Sequence, residues 1–356
     1  MSEPTISFLT TVYRTEEYLP SMIESVRAQT SHDWELVVVD NGRSAAVADI
    51  VRSYDYDPRI RLLRQENRGY RGGVAAAASA ATGLYLSVLD SDDRIMPEFV
   101  ATITDFLRQY PEVDAVGCDA VQFDESEQVQ LSASYLDSVG VRWQPCRAMG
   151  KLTLKDALAG AIPYYTGAVR RQRWHEVGGY SAADDDVDES VMIWLDLVQQ
   201  YDVRLIATPL GWYRIRHDSL SREPAKVEAF EQALIAAFTR TAQSAGSDDD
   251  RRAVHATVSR LRFHQEMRRA RWAFLGGDTP AARRHARRAY AQRPGVRAAS
   301  VVVALALFPT VLHRMYPLKQ QAAAAWLRGR ERLAGAGRAF AAGRPRKRTA
   351  GAGVSV

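Results

Sequence analysis

The sequence predicts a doubly wound α/β sheet followed by an α-helical C-terminal region, and three observations point there. Short β-branched runs alternate with helical patterns as far as residue 90, the βαβ order that builds parallel sheets. Acidic residues close two of those runs, at the carboxyl ends where such sheets bind ligands. The charge then reverses: 22 basic residues face 34 acidic ones through residue 224 and 25 face 8 beyond it, a net −12 followed by +17.

Residues 5–9 read as an opening strand, after which Tyr18, Leu19, Met22, Ile23 and Val26 share one helical face. Residues 34–39 are long enough for a central strand and stop at Asp40-Asn41-Gly42, a strong turn signal. Residues 45–54 are helical, 60–63 a short strand, 69–81 mostly helix, and 84–89 a buried strand that ends in Asp90-Ser91-Asp92-Asp93. A helix over 97–110 and a strand over 113–123 follow, then an irregular loop or hairpin over 124–149. The acidic turn 184–189 leads into an amphipathic helix carrying Trp194 and Leu197, and strand-like runs at 203–207 and 212–217 end near Pro224. Beyond it, 227–244, 251–275 and 281–292 keep helical periodicity, the last capped after Gly276-Gly277-Asp278-Thr279-Pro280. The expected organisation is a sheet domain over 1–224, a basic helical domain over 225–334 and a disordered basic tail over 335–356.

At 356 residues, 46% hydrophobic and 25% charged, with 14 Pro and 23 Gly, the chain is neither collagen-like, low-complexity nor wholly disordered. Two cysteines, Cys118 and Cys146, make neither a disulfide framework nor a thiolate metal site and suit a reducing cytoplasm. Glu3 stands where a secretion signal would carry positive charge. No run reaches the roughly 18 to 20 apolar residues of a membrane span.

The carboxylates of Asp90, Asp92 and Asp93 crowd one strand end, where their mutual repulsion is relieved by a divalent cation. The same aspartates also suit a helix N-cap. Asp40 is either a turn aspartate or, at the edge of the sheet, an acceptor for a nucleobase N–H or a ribose hydroxyl.

Taken together the blocks resemble the inverting family-2 glycosyltransferases of GT-A fold, over about residues 4–222. Pro4 to Tyr13 with Glu17-Tyr18-Leu19 resembles the opening strand and helix of that family, and Glu35 to Gly42 its nucleotide-binding strand. Asn67 and Gly69 lead to Leu89-Asp90-Ser91-Asp92-Asp93, which resembles its metal-binding motif. Gly178-Gly179-Tyr180, the acidic turn with Trp194-Leu195, and Tyr213-Arg214 with His217 and Ser221 complete the series.

The resemblance implies a GT-A type mixed sheet, a nucleotide-sugar donor (a UDP-sugar by preference) and a divalent ion, Mg²⁺ or Mn²⁺, on its diphosphate. Thr10, Tyr13, Asp40, Asn67, Arg71 and Asp90 then bind the donor, and Asp92 and His217 the metal. Inversion needs a general base, which the family places in an acidic pair at the start of the helix bearing Trp194. Alignment from Trp194 puts Ser190 where an Asp is expected, so Asp188 and Glu189 are named jointly as the base. Val74-Ala75 likewise replaces an Arg-Asn pair, leaving Arg68 or Arg71 to meet phosphate.

The basic half carries Arg-rich helices but no nucleic-acid fingerprint or zinc site, so nucleic acid is not the expected partner. Residues 298–312, flanked by Arg293, Arg297, Arg314 and Lys319, suit an anionic membrane surface or a buried helix of the C-terminal bundle. The expectation is a cytoplasmic, metal-dependent inverting enzyme, peripheral on the inner face of the membrane. It acts on a glycan or lipid-linked acceptor in envelope or exopolysaccharide synthesis. The rival reading is a catalytically decayed binding module, docked to membrane or nucleic acid by its basic helices.

Overall fold

The computed structural model describes residues 3–124, 129–138, 141, 150–162, 167–180, 189–216 and 224–311. The chain forms two compact units, Met1–Leu261 and Arg262–Val356.

The first unit opens with β1 (Ile6–Val12), α1 (Leu19–Arg27), β2 (Trp34–Asn41), α2 (Ala45–Arg52), β3 (Ile60–Gln65), α3 (Gly69–Ala80) and β4 (Tyr85–Val88). It continues through β5 (Arg94–Ile95), α4 (Phe99–Gln109), β6 (Ala115–Asp124), β7 (Val129–Ser134), α5 (Tyr135–Ser138) and α6 (Leu154–Leu158). Next come β8 (Ala168–Arg170), α7 (Arg171–Glu176), α8 (Glu189–Gln200), β9 (Val203–Ile215), α9 (Pro224–Ser244) and α10 (Asp248–Leu275), in which the division between units falls. Strands and helices fall close to the expected positions, except that the two runs expected at 203–207 and 212–217 form the single strand β9, and in the region read as a loop or irregular hairpin β7 pairs with β6 across a register shift.

The described strands make one mixed sheet in the order β3-β2-β1-β4-β8-β6-β9-β5, with β7 added beside β6. The four strands from β3 to β4 are parallel. β8 is antiparallel to both β4 and β6, and β9 runs parallel to β6. Alternation along the strands divides the core: Phe8, Leu36 and Val38 face α1, α2 and α4 through Met22, Val47 and Ile103. Leu9, Val37 and Val39 face the other layer, through Val74 of α3, Val191 of α8 and Phe238 of α9. The first helix after residue 224 thus shares the core of the sheet, because its apolar stripe joins Ile235, Ala237 and Phe238 to that layer.

In the second unit, α11 (Thr279–Gln292) starts where Asp278 accepts a hydrogen bond from the Ala281 amide at 2.8 Å, the expected cap. α12 (Val296–Leu307) follows, and Ala270, Phe274, Ala282, Ala286 and Leu305 form a small core. Arg283 donates to the Leu305 and Ala306 carbonyls, satisfying the C-terminal end of α12. The other side of α12 stays in solvent: Val296 is 88% exposed and Leu307 65%, with Val303 and Phe308 also exposed. Among the described residues no helix is long and apolar enough to cross a membrane.

Candidate functional site

Strand register brings the candidate residues to one edge. Asp40 lies opposite Val12 on β1 and Arg64 on β3. Leu9 pairs with Val88, and the Leu89 amide donates to the Leu9 carbonyl, so Asp90 leaves the sheet next to the end of β1.

Asp40 is fully buried. Its Oδ1 accepts from the Ser44 amide at 2.9 Å and its Oδ2 from Arg64 Nε at 3.0 Å. The two bonds, one to each oxygen, fix the orientation of the carboxylate. Tyr13 stands beside it, 43% exposed, its ring packed so closely on Gly42 that a Cβ there would come within 3.0 Å of Cδ2. The Arg14 guanidinium lies 5.1 Å from the Tyr13 ring centroid, and Arg14 itself has φ 60°, a left-handed backbone just past the strand end.

The loop from β3 to α3 is organised from β2. Asn41 Nδ2 donates to Asn67 Oδ1 and to the Gly69 carbonyl, while its Oδ1 accepts from Gln65 Nε2 and the Arg68 amide. Asn67 is thereby tied into the loop, and Arg71 lies in the first turn of α3. Thr10 is fully buried and gives its hydroxyl to the Leu89 carbonyl at 2.9 Å. In this arrangement it fixes the base of the site.

The Asp90–Asp93 turn is held from two sides. Tyr70 donates its hydroxyl to Asp90 Oδ1 at 2.7 Å. From β9, the Arg214 amide donates to Asp93 Oδ1 at 2.7 Å and Arg214 Nε to the Asp92 carbonyl at 2.7 Å. Arg216 Nη1 pairs with Asp92 Oδ2 at 3.1 Å, and Thr15 and Ser91 join hydroxyls at 2.7 Å. Burial, then the charge of Asp92, pushes the Asp90 carboxyl up to about 6, against the pull of the Tyr70 hydrogen bond. Burial followed by the charges of Asp92 and Asp90 raises Asp93 well above the usual carboxylate range, against the bond and charge of Arg214.

Asp90 and Asp93 thus share a small volume in which burial and the neighbouring carboxylate charge suppress their ionisation. Asp93 Oδ2 is buried with no hydrogen-bond partner. Hard oxygen donors, an orphaned carboxylate oxygen and suppressed ionisation fit a hard divalent cation. The described residues hold no group of three or more His, Cys, Asp or Glu side chains placed to bind one alone. A site of this kind relies on ligand phosphates and water for the remaining positions, as magnesium sites commonly do.

Tyr13, Asp40, Asp90 and Asp92 are therefore brought to one edge. Glu189 is the first residue of α8, whereas Asp188 and His217 lie outside the described residues. Tyr70, Arg64 and Arg216 are polar partners that the sequence reading passed over. Arg64 was findable, because it falls opposite Asp40 once β2 and β3 are paired in parallel.

Comparison with known proteins is consistent with this edge. The profile of glycosyl transferase family 2 matches residues 7–178. EpsH of Bacillus subtilis, named a glycosyltransferase, is 33% identical over 260 residues, covering 68% of this chain and 70% of its own length. The succinoglycan biosynthesis protein ExoO of Rhizobium meliloti is 32% identical over 134 residues, which is 37% of this chain and 36% of ExoO. The chain thus spans little more than a third of that relative. Among solved structures, TarS of S. aureus in complex with UDP-GlcNAc superimposes with a TM-score of 0.58 at 16% identity, covering 84% of each chain. The mannosyltransferase PcManGT of Pyrobaculum calidifontis, in complex with GDP-Man and Mn²⁺, gives 0.55 at 18% identity, covering 86% of this chain and 82% of its own. At those identities the likeness is one of fold, the GT-A arrangement.

Proposed function

The chain belongs to the family-2 glycosyltransferases, and on that premise we propose that it is a metal-dependent inverting enzyme acting on a nucleotide sugar, with a UDP-sugar as the favoured donor. The observation that carries the reading is the convergence of Tyr13, Asp40, Asp90 and Asp92 at one sheet edge. Tyr13 offers an aromatic face to the base. Asp40 accepts from a base N–H or a ribose hydroxyl, and Asp90 from a hydroxyl of the ribose or the sugar. Asn67 and Arg71 border the same site from the loop and first turn before α3.

Asp92, with His217, would hold the divalent ion, Mg²⁺ or Mn²⁺. Bound there, the ion supplies Lewis-acid neutralisation of the charge that develops on the departing diphosphate. Asp188 or Glu189 takes the proton from the acceptor hydroxyl as its oxygen forms a bond to the anomeric carbon. The bond from that carbon to the diphosphate oxygen breaks on the opposite face, which inverts the centre.

The acceptor in this reading is a hydroxyl of a growing envelope glycan or exopolysaccharide, free or lipid-linked, supported by the likeness to ExoO. The exposed apolar side of α12 lies in the C-terminal region, residues 225–356, of charge +17. An anionic membrane surface on the cytoplasmic side suits both properties.

Ser190, in the position where an aspartate is expected, favours the rival reading of a binding module without turnover. Thermal unfolding with UDP, GDP and their sugars, in Mn²⁺, Mg²⁺ or EDTA, tests the donor site. A ligand at 100 times its Kd adds about 2.7 kcal/mol. No cation-dependent shift with any nucleotide would remove the donor reading. If a nucleotide binds, Asp188→Ala and Glu189→Ala decide the rest: loss of turnover in one, by roughly 10²-fold or more, identifies the base. Two unimpaired variants would exclude both residues.

A further inference from the structure

Tyr70 is the first side chain of α3 after Gly69, and it reaches across to the end of β4. Its hydroxyl donates to Asp90 Oδ1 at 2.7 Å. The ring does not stand alone. Tyr180 lies 6.2 Å from it, centroid to centroid, and is itself stacked on Trp174 at 5.2 Å with 21° between the planes. Tyr180 and Trp174 are buried. Gly179, between them in sequence, has φ +56°, and a Cβ there would come within 2.4 Å of Trp174 Nε1, so only glycine lets the stack close.

A chain of aromatic rings therefore runs from α7 and the Gly178-Gly179-Tyr180 turn to a single hydroxyl on Asp90. A carboxylate next to the charge of Asp92 has reason to swing away from it, and a hydrogen bond from the Tyr70 ring, 44% exposed but packed on one side by Tyr180, resists that rotation. With Oδ1 taken up by Tyr70, Oδ2 keeps its acceptor capacity for an incoming hydroxyl.

We propose that Tyr70 is a positioning residue for the donor, holding Asp90 in the orientation that receives the ribose or sugar hydroxyl, with the Tyr180–Trp174 stack as its support. The inference rests on the donor reading above and deepens it. A hydroxyl is what the arrangement requires, since phenylalanine would fill the same ring position and leave Asp90 unheld.

Calorimetric titration of UDP, UDP-GlcNAc, GDP and GDP-Man, each with Mn²⁺, into the full chain tests it, with Tyr70→Phe, Asp90→Asn and the double variant beside the wild type. For the nucleotide the wild type binds, Tyr70→Phe is expected to weaken affinity five- to tenfold while the ligand-free unfolding midpoint stays in place. In steady state the same change appears in the donor KM with kcat held. Acting through Asp90, Tyr70→Phe should add little to Asp90→Asn, so the double variant falls short of the summed single losses. Wild-type affinity in Tyr70→Phe overturns the inference while the donor site stands. Fully additive losses, or a weakened affinity matched by a fall in the midpoint, also overturn it by making Tyr70 an independent or merely structural residue. A wild type that binds none of the four removes the donor reading and this inference with it.

Discussion

Arg216 sits on Asp92: its Nη1 is 3.1 Å from Oδ2, so the carboxylate assigned to a divalent ion already faces a guanidinium. Both side chains are largely shielded, and the guanidinium also lies over the Tyr18 ring at 5.0 Å. Free metal has to share or displace this partner, whereas metal arriving with a diphosphate brings anionic oxygens for the arginine to turn to.

Arg216→Gln is therefore expected to tighten Mn²⁺ binding in the absence of nucleotide by about fivefold, equivalent to about 1 kcal/mol for a partly exposed pair. Mn²⁺ titration followed by electron paramagnetic resonance reads it directly. Equal affinities in variant and wild type would separate Asp92 from the cation.

Asp40→Asn keeps the size of the side chain and removes the charge that Arg64 and the Ser44 amide now meet. Nucleotide affinity should fall roughly tenfold, about 1.4 kcal/mol. Calorimetry with the nucleotide that binds the wild type measures this. An unaltered Kd would return Asp40 to a turn residue.

Stability at acid pH should depend on Glu35. This buried carboxylate accepts from Ser7 Oγ at 2.6 Å, the Thr82 amide at 2.5 Å, Thr82 Oγ1 at 2.9 Å and Arg61 Nη2 at 2.6 Å. Burial pushes its pKa up, but those bonds and the Arg61 charge together hold it below the ordinary value. Because the folded pKa is the lower one, the stabilisation is complete above the unfolded value of ~4.3 and is lost as pH falls through the folded pKa. Glu35→Gln should flatten the acid limb of a denaturation series and cost about 1 to 2 kcal/mol near neutrality, since the Arg61 left behind keeps its access to water. An acid limb identical to wild type would show that other carboxylates govern it.

The wild type should float with vesicles containing phosphatidylglycerol but not with phosphatidylcholine alone, and less so as salt rises. The variant Val303→Asp with Leu307→Asp, both on the exposed side of α12, should stay behind. Failure of the wild type to float would exclude the membrane surface as a partner.

Much of the sheet was legible because β1, β2 and β4 are rich in β-branched, aliphatic and aromatic residues and are bounded by polar turns. β8 and β5 were not, since three and two residues carry no period of their own and become strands only by pairing with β4, β6 and β9. The same division holds in the site. Asp40 and the Asp90–Asp93 turn announce themselves by following strands. Tyr70 does not, because its meaning comes from a helix start meeting a strand end 20 residues away. Ser190 is the second residue of α8, after Glu189.

The clamp on Asp93 comes from the Arg214 amide, 121 positions later in the chain. During synthesis the strands through β4 can pair with near neighbours as soon as they leave the ribosome, yet the aspartate turn waits for β9. At 5–20 residues per second the delay is roughly 6 to 24 s, an interval in which Tyr70 and Thr15 can hold the near side of the turn while Asp93 lacks its partner from β9. The sheet is thus assembled from its N-terminal strands first, and a chain broken off before β9 would keep most of its sheet but not the grip that shapes the Asp90–Asp93 turn.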